Sequence, residues 1–184
     1  MSGRIVSVNV ALPGRTLHRE GRPVVTGILK RPVAGRVRVL PLSLEGDGVG
    51  NTKGHGGPRK SVYAYPSEHY AFWRTERPEA ELPWGAFGEN LTLEGVLEAD
   101  VRPGDRLVVG TAVFGVTQPR FPCATLALKF GRDSFVKEFE AAGRSGFYLT
   151  VVGTGEIGAG DVVTVERVGP DGPDIATIFR ETPT

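Results

Sequence analysis

Cysteine occurs once in the 184 residues and histidine three times. One cysteine excludes an internal disulfide, and His18, His55 and His69 are too scattered to give zinc its three or four ligands at a recognisable spacing. An excess of one charge is missing as well. The 22 Lys and Arg residues nearly balance the 21 Asp and Glu residues, for a net charge of +1. That balance leaves no footprint for nucleic acid and no polybasic membrane anchor, so an anionic ligand must bind at a local site. No apolar run approaches the roughly 18 residues of a membrane-spanning helix, and the opening stretch MSGRIVSVNVALPGR has no signal-peptide core. These absences lead to the expectation of a soluble cytoplasmic protein with neither nucleic acid nor membrane as partner. No linker or low-complexity tract divides the chain, which predicts one domain over residues 1–184.

Turn residues are abundant: 26 glycines and 14 prolines punctuate short runs of Val, Ile, Leu, Phe and Thr. That rhythm predicts a β-rich fold. Strands are expected at 4–11, 24–30, 37–44, 61–65, 90–93, 105–110, 112–118, 146–152 and 161–168. The stretches VRPGDRLVVG (101–110) and IGAGDVVTVE (157–166) each place Gly-Asp before an apolar strand, a hairpin-entry signal common in closed barrels, and are expected to be neighbours. Helices are expected only at 66–76 and 132–143, the second with Asp133 as N-cap and Gly143 as its stop.

Four stretches carry residues able to do chemistry. GDGVGNTKGHGGPRKSVYAYP (46–66) combines glycines with His55, Arg59 and Lys60, although its spacing is not that of a phosphate-binding P-loop. It is either a ligand-cradling loop or a flexible surface loop with solvated charges. In GAFGENLTLEG (85–95), Glu89 and Asn90 sit where a carboxylate and an amide read the edge of a heterocycle, or where Asn90 caps a turn. QPRFPCATLALKFGR (118–132) holds Arg120 and Cys123 in a relation fixed by Pro119 and Pro122. The cysteine is then a thiolate favoured by the guanidinium, or a small buried hydrophobe. GRSGFYLTVV (143–152) offers Arg144 as an anion contact or a solvated turn charge. A Cys/His hydrolase pairing Cys123 with His55 or His69 stays open at this level, and no serine nucleophile elbow is present.

Taken in order, GHGGPRKSVYAYPSEHY, GAFGENLT, GDRLVVGTAVFGVTQPRFPC and GRSGFYLTVV resemble the MOSC domain, and above all its bacterial stand-alone branch, over about residues 4–168. The resemblance implies a mixed closed β-barrel with a few short peripheral helices. It also implies a molybdopterin-type molybdenum cofactor, with no pyridoxal-phosphate type of site expected. Members that are reductases remove oxygen from N-hydroxylated compounds, such as hydroxylamino base analogues and amidoximes, using electrons from a separate reductase. On that pattern Cys123 is the molybdenum ligand and catalytic residue. Lys60 and Arg120, with Arg144, contact the cofactor; Asn90 and His55 orient it or line the pocket; Phe87 and Glu89 support the wall. A second reading from the same resemblance is a non-catalytic cofactor or sulfur carrier with a persulfide on Cys123. The pattern departs at the end, where the chain finishes in DIATIFRETPT and lacks the helical extension of well-known relatives. If that extension docks an electron donor, another surface or a different donor is expected here.

Overall fold

Period-two alternation becomes strand after strand in the computed structural model, which describes residues 1–12, 14–48, 57–169 and 171–182. β1 (Ser2–Val10) precedes a hairpin of β2 (Thr16–Arg19) and β3 (Arg22–Val25), the short β4 (Arg31–Pro32), and a second hairpin of β5 (Arg36–Leu40) and β6 (Ser43–Leu44). A 3₁₀ turn at Pro58–Lys60 leads into β7 (Val62–Pro66) and α1 (Glu68–Glu76), then β8 (Leu91–Glu94), β9 (Arg106–Val109) and β10 (Ala112–Pro119). α2 (Ala124–Lys129), α3 (Phe135–Ala142), β11 (Phe147–Gly153), β12 (Gly155–Gly158), β13 (Val162–Glu166) and α4 (Ile175–Glu181) complete the order. None of these helices is long and apolar enough to cross a membrane.

Seven strands close a barrel in the order β13-β9-β10-β11-β7-β8-β1, and β1 returns to β13 through Ser2↔Thr164 and Arg4↔Val162. Neighbours are antiparallel except β7 and β8, which run parallel with Ala64 opposite Leu91. A parallel pair needs a crossover rather than a tight turn, and α1 with the segment at 77–90 supplies it. β9 and β13 pair from Val109↔Val163 to Arg106↔Glu166, so the two Gly-Asp stretches are neighbours.

β7 shows why there are two cores. Its residues are buried on both faces: Val62 and Ala64 join Leu91, Leu93, Phe114, Val116, Phe147 and Leu149 inside the barrel. Tyr63 and Tyr65 point the other way, into an aromatic cluster with Tyr70 and Trp73 of α1, Phe87, Leu126 of α2, and Phe135 and Phe139 of α3. Burying each such ring stabilises the fold by about 1.5–3 kcal/mol. The helices therefore form a second layer on one side of the barrel.

The expectation of a strand at 24–30 is corrected. Strand pairing ends at Val25, because the chain turns back at Glu20 and Gly21, whose φ angles of 49° and 77° make a two-residue hairpin turn. The 37–44 strand is split by a turn at Pro41–Leu42 into β5 and β6. α1 starts at Glu68 because Pro66 still belongs to β7, and α3 is entered from Ser134 rather than Asp133; it stops at Gly143 with φ 65°. α2 and α4 were not expected. α4 is capped by Asp174, whose carboxylate accepts from the Thr177 amide at 2.7 Å.

Candidate functional site

β10 runs antiparallel to β11, and its register shifts between Val116 and Gln118. Such a shift bends a strand and re-aims the side chains beyond it. The chain then leaves the barrel through Pro119, sends Arg120 beneath the aromatic layer, and reaches Cys123 in extended conformation just before α2. Cys123 is half-buried. It lines a cavity of about 240 Å³ together with Ile28, Asp47, Lys60, Tyr63, Phe87, Asn90, Arg120 and Tyr148.

Arg120 is 4% exposed and its guanidinium lies against the rings of Tyr63 and Phe139, at 5.5 and 5.3 Å. Burial works against its charge, and the facing Tyr63, Tyr148 and Cys123 side chains offset this, so the guanidinium remains charged. Its Nη1 is buried with no hydrogen-bond partner among the described residues. A buried donor left unmatched costs about 1–3 kcal/mol, which an anionic ligand in the cavity would recover. Lys60 adds a second cation, with Nζ 5.8 Å from the centre of the Tyr148 ring. Thr117 Oγ1 holds this wall, lying 2.6 Å from the Arg59 carbonyl and 3.0 Å from that of Tyr148. Burial pushes the Tyr63 hydroxyl well above its ordinary pKa, so it stays neutral and donates to the Ser145 carbonyl at 2.7 Å.

The structure brings Lys60, Phe87, Asn90, Arg120 and Cys123 to one cavity. Asn90 is committed, however. Its Oδ1 accepts from the Tyr63 amide at 3.1 Å, and its Nδ2 donates to the Asn9 carbonyl at 3.3 Å and to Asp47 at 2.8 Å. Glu89 faces away from the cavity. Its carboxylate accepts from the Gly85 and Phe87 amides, Thr92 Oγ1 and the Tyr70 hydroxyl, and so holds the 85–89 turn that presents Phe87. Burial raises its pKa, and those same hydrogen bonds oppose the rise. Asn90 thus lines the cavity with its amide hydrogen-bonded to protein groups, and Glu89 supports the wall from behind.

Arg144 does not line this cavity. Its guanidinium stacks 4.3 Å over Phe72 and donates from Nη1 to His69 Nδ1 at 3.2 Å. His69 in turn faces Glu98 through Nε2 at 2.8 Å, and Glu98 accepts from the Gly146 amide at 2.6 Å. His69, read as packing on its helix, is thus a buried polar strut between α1, the 98–100 turn and the start of β11. His55 lies outside the described residues.

Tyr63, Tyr148 and the Lys30–Asp47 pair were missed. Lys30 Nζ sits 2.6 Å from Asp47 with both side chains less than a tenth exposed; burial lowers the lysine's pKa and Asp47 opposes the shift. The tyrosines had a signal, because in SVYAY and GFYLT they occupy the parity opposite the aliphatic residues. The ion pair had none, since its partners are 17 residues apart.

Among the described residues no three His, Cys, Asp or Glu side chains are grouped to hold a metal ion. A metal beside Cys123 would have to arrive with ligands of its own. Residues 51–164 match the MOSC domain. The chain belongs to the MOSC domain family. MOSC domains are associated with the molybdenum cofactor. The chain is 42% identical over 156 residues to the uncharacterized protein YflK of Bacillus subtilis, covering 85% of this chain and 70% of that one. It superposes on the crystal structure of YiiM from Geobacillus stearothermophilus with a TM-score of 0.77 at 39% identity, covering 96% of this chain and 82% of the other. A protein of Gibberella moniliformis named "Reductase" is 34% identical over 154 residues, 82% of this MOSC chain but 27% of the longer one.

Proposed function

We propose that this MOSC protein binds a molybdenum cofactor in the 240 Å³ cavity, with Cys123 as the metal's thiolate ligand, and reduces N-hydroxylated compounds. The observation that carries the reading is the buried, unmatched Nη1 of Arg120 in the wall that also holds Cys123. A soft thiolate suits a transition metal, and a charged guanidinium suits an anionic organic cofactor. When bound, the cofactor supplies the two-electron redox chemistry of oxygen removal. The balance is R–NHOH plus two electrons and two protons giving R–NH2 and water. The electrons come from a separate reductase.

The chain's own residues have distinct parts. Arg120 and Lys60 neutralise the anionic end of the ligand. Phe87, locked by the turn around Glu89, and Tyr63 and Tyr148 give it apolar walls that exclude water. Asn90 keeps β7, β1 and Asp47 in register around the cavity.

The test is the molybdenum and pterin content of protein made in a host that synthesises the cofactor. Wild type is expected to carry stoichiometric metal, Cys123→Ser to lose it, and Arg120→Gln to lose about tenfold in cofactor affinity. Metal absent from the wild type, with a persulfide trapped on Cys123, would replace this reading by a sulfur carrier.

A further inference from the structure

Behind the wall of the cofactor cavity lies a larger cleft of about 940 Å³. The two share Lys30, and they are separated by Phe87, which stacks on Phe130 of the cleft with ring centres 5.6 Å apart. Six cationic side chains line the cleft against two acidic ones, Glu79 and Glu81, in a chain whose net charge is only +1. The balance of the whole molecule is broken here.

The cations fall into two groups. Arg77, Arg132 and Lys30 have carboxylate partners in Glu138, Glu79 and Asp47. Arg15 and Arg31 have no ion-pair partner among the described residues, and both line the cleft at partly or fully exposed positions. Lys129 sits deeper. Its Nζ donates to the carbonyls of Ile28 and Gly85 at 3.2 and 3.1 Å, which are dipoles and not counter-charges. Burial and the neighbouring Arg120 and Lys30 charges depress its pKa, with only Glu89 opposing, as expected of a cation that lacks an anion. The floor is aromatic, with Phe130 and Phe135 stacked at 4.0 Å.

We propose that this cleft is a second ligand site, for a phosphate-bearing aromatic molecule of the nucleotide class. Arg15 and Arg31 take the phosphates, and Phe130 lies against the ring. The cleft's size is that of a small-molecule pocket, and its concavity suits such a ligand better than a flat protein face. Guanidinium groups match phosphate oxygens two at a time, which accounts for arginines at the rim where lysine would give only a point charge. The proposal does not depend on which cofactor fills the neighbouring cavity.

Calorimetric titration of the full chain tests it, with ATP, adenosine and pyrophosphate as probes at physiological salt. ATP is expected to bind, with a loss of about tenfold on Arg31→Gln and more on Arg15→Glu with Arg31→Glu. Lys60→Glu in the cofactor cavity is expected to leave ATP affinity unchanged. Pyrophosphate is expected to compete, and adenosine to bind far more weakly than ATP. Absence of ATP binding to the wild type at millimolar concentration overturns the proposal. So does affinity that survives the double reversal or falls with Lys60→Glu, the latter placing the nucleotide in the cofactor cavity instead. Thermal melts showing Arg31→Gln folded like the wild type ensure that a lost signal reports binding.

Discussion

Lys129 makes folding depend on pH through one amine. In the unfolded chain it keeps its proton up to about 10.5, whereas burial in the folded protein lowers its pKa to about 8. Between those values the unfolded state binds more protons, so stability rises as pH climbs from about 8 to 10.5, and below 8 the cost of burying the charge is fully present. Lys129→Met should flatten that rise by on the order of 3 kcal/mol. Urea midpoints of the two proteins at pH 7.5 and pH 10 measure it, and parallel curves would refute the assignment. At this scale the sequence was legible where residues lie close along the chain, as Arg120 and Cys123 do in the wall of one cavity. It was silent where the partners are remote. Nothing in GAFGEN says that Glu89 turns inward to Tyr70 and Thr92, or that Asn90 spends its amide on Asn9 and Asp47.

Among the elements, β11 depends on the residue before it. Gly146 has φ 62°, and a Cβ there would lie 2.5 Å from the Ala64 carbonyl and 2.8 Å from the rings of Tyr63 and Tyr65. Gly146→Ala therefore combines a strained backbone with a clash against β7, at a cost of about 2 kcal/mol or more. A denaturant melt showing less than half of that would sink the argument. α3 docks through Phe135 and Phe139, both fully buried, and Phe139 stacks on Trp73 at 5.7 Å and 8° between planes. Phe139→Ala should cost about 3–5 kcal/mol in the same melts. The barrel strands were legible because aliphatic residues alternate along them. α2 hid behind Pro122 in a stretch too short to show a helical period. The β2–β3 hairpin hid because its turn is Glu-Gly, with a non-glycine residue in the left-handed region.

For the molecule as a whole, burial ranks the order of opening. β2 and β3 are mostly exposed and pair only with each other, whereas β7, Leu91, Thr92 and Leu93 of β8, and the inward residues of β10 and β11 are buried. Amide exchange should be fastest at 16–25 and slowest at 62–66, 91–93 and 147–149, and comparable rates in the two sets would contradict the layered picture. The family and the closed barrel were read from motif order and strand rhythm, which survive without any contact information. The second cleft was not, because its cations come from stretches at 15–31, 77 and 129–132 that share no motif.

The seam between β1 and β13 also sets a timetable for synthesis. Strand partners Ser2 and Thr164 leave the ribosome far apart in time, roughly ten to thirty seconds at about 5–20 residues per second. Until the later one appears, one edge of the nascent β1 near its start waits unpaired. The residues on that waiting edge are the polar Ser2, Gly3 and the charged Arg4, while the apolar Ile5, Val8 and Val10 lie further along the strand. A charge on an open edge discourages pairing with a neighbouring chain. Arg4→Val is therefore expected to increase aggregation of newly made protein, measured as the pelleted fraction of nascent chains.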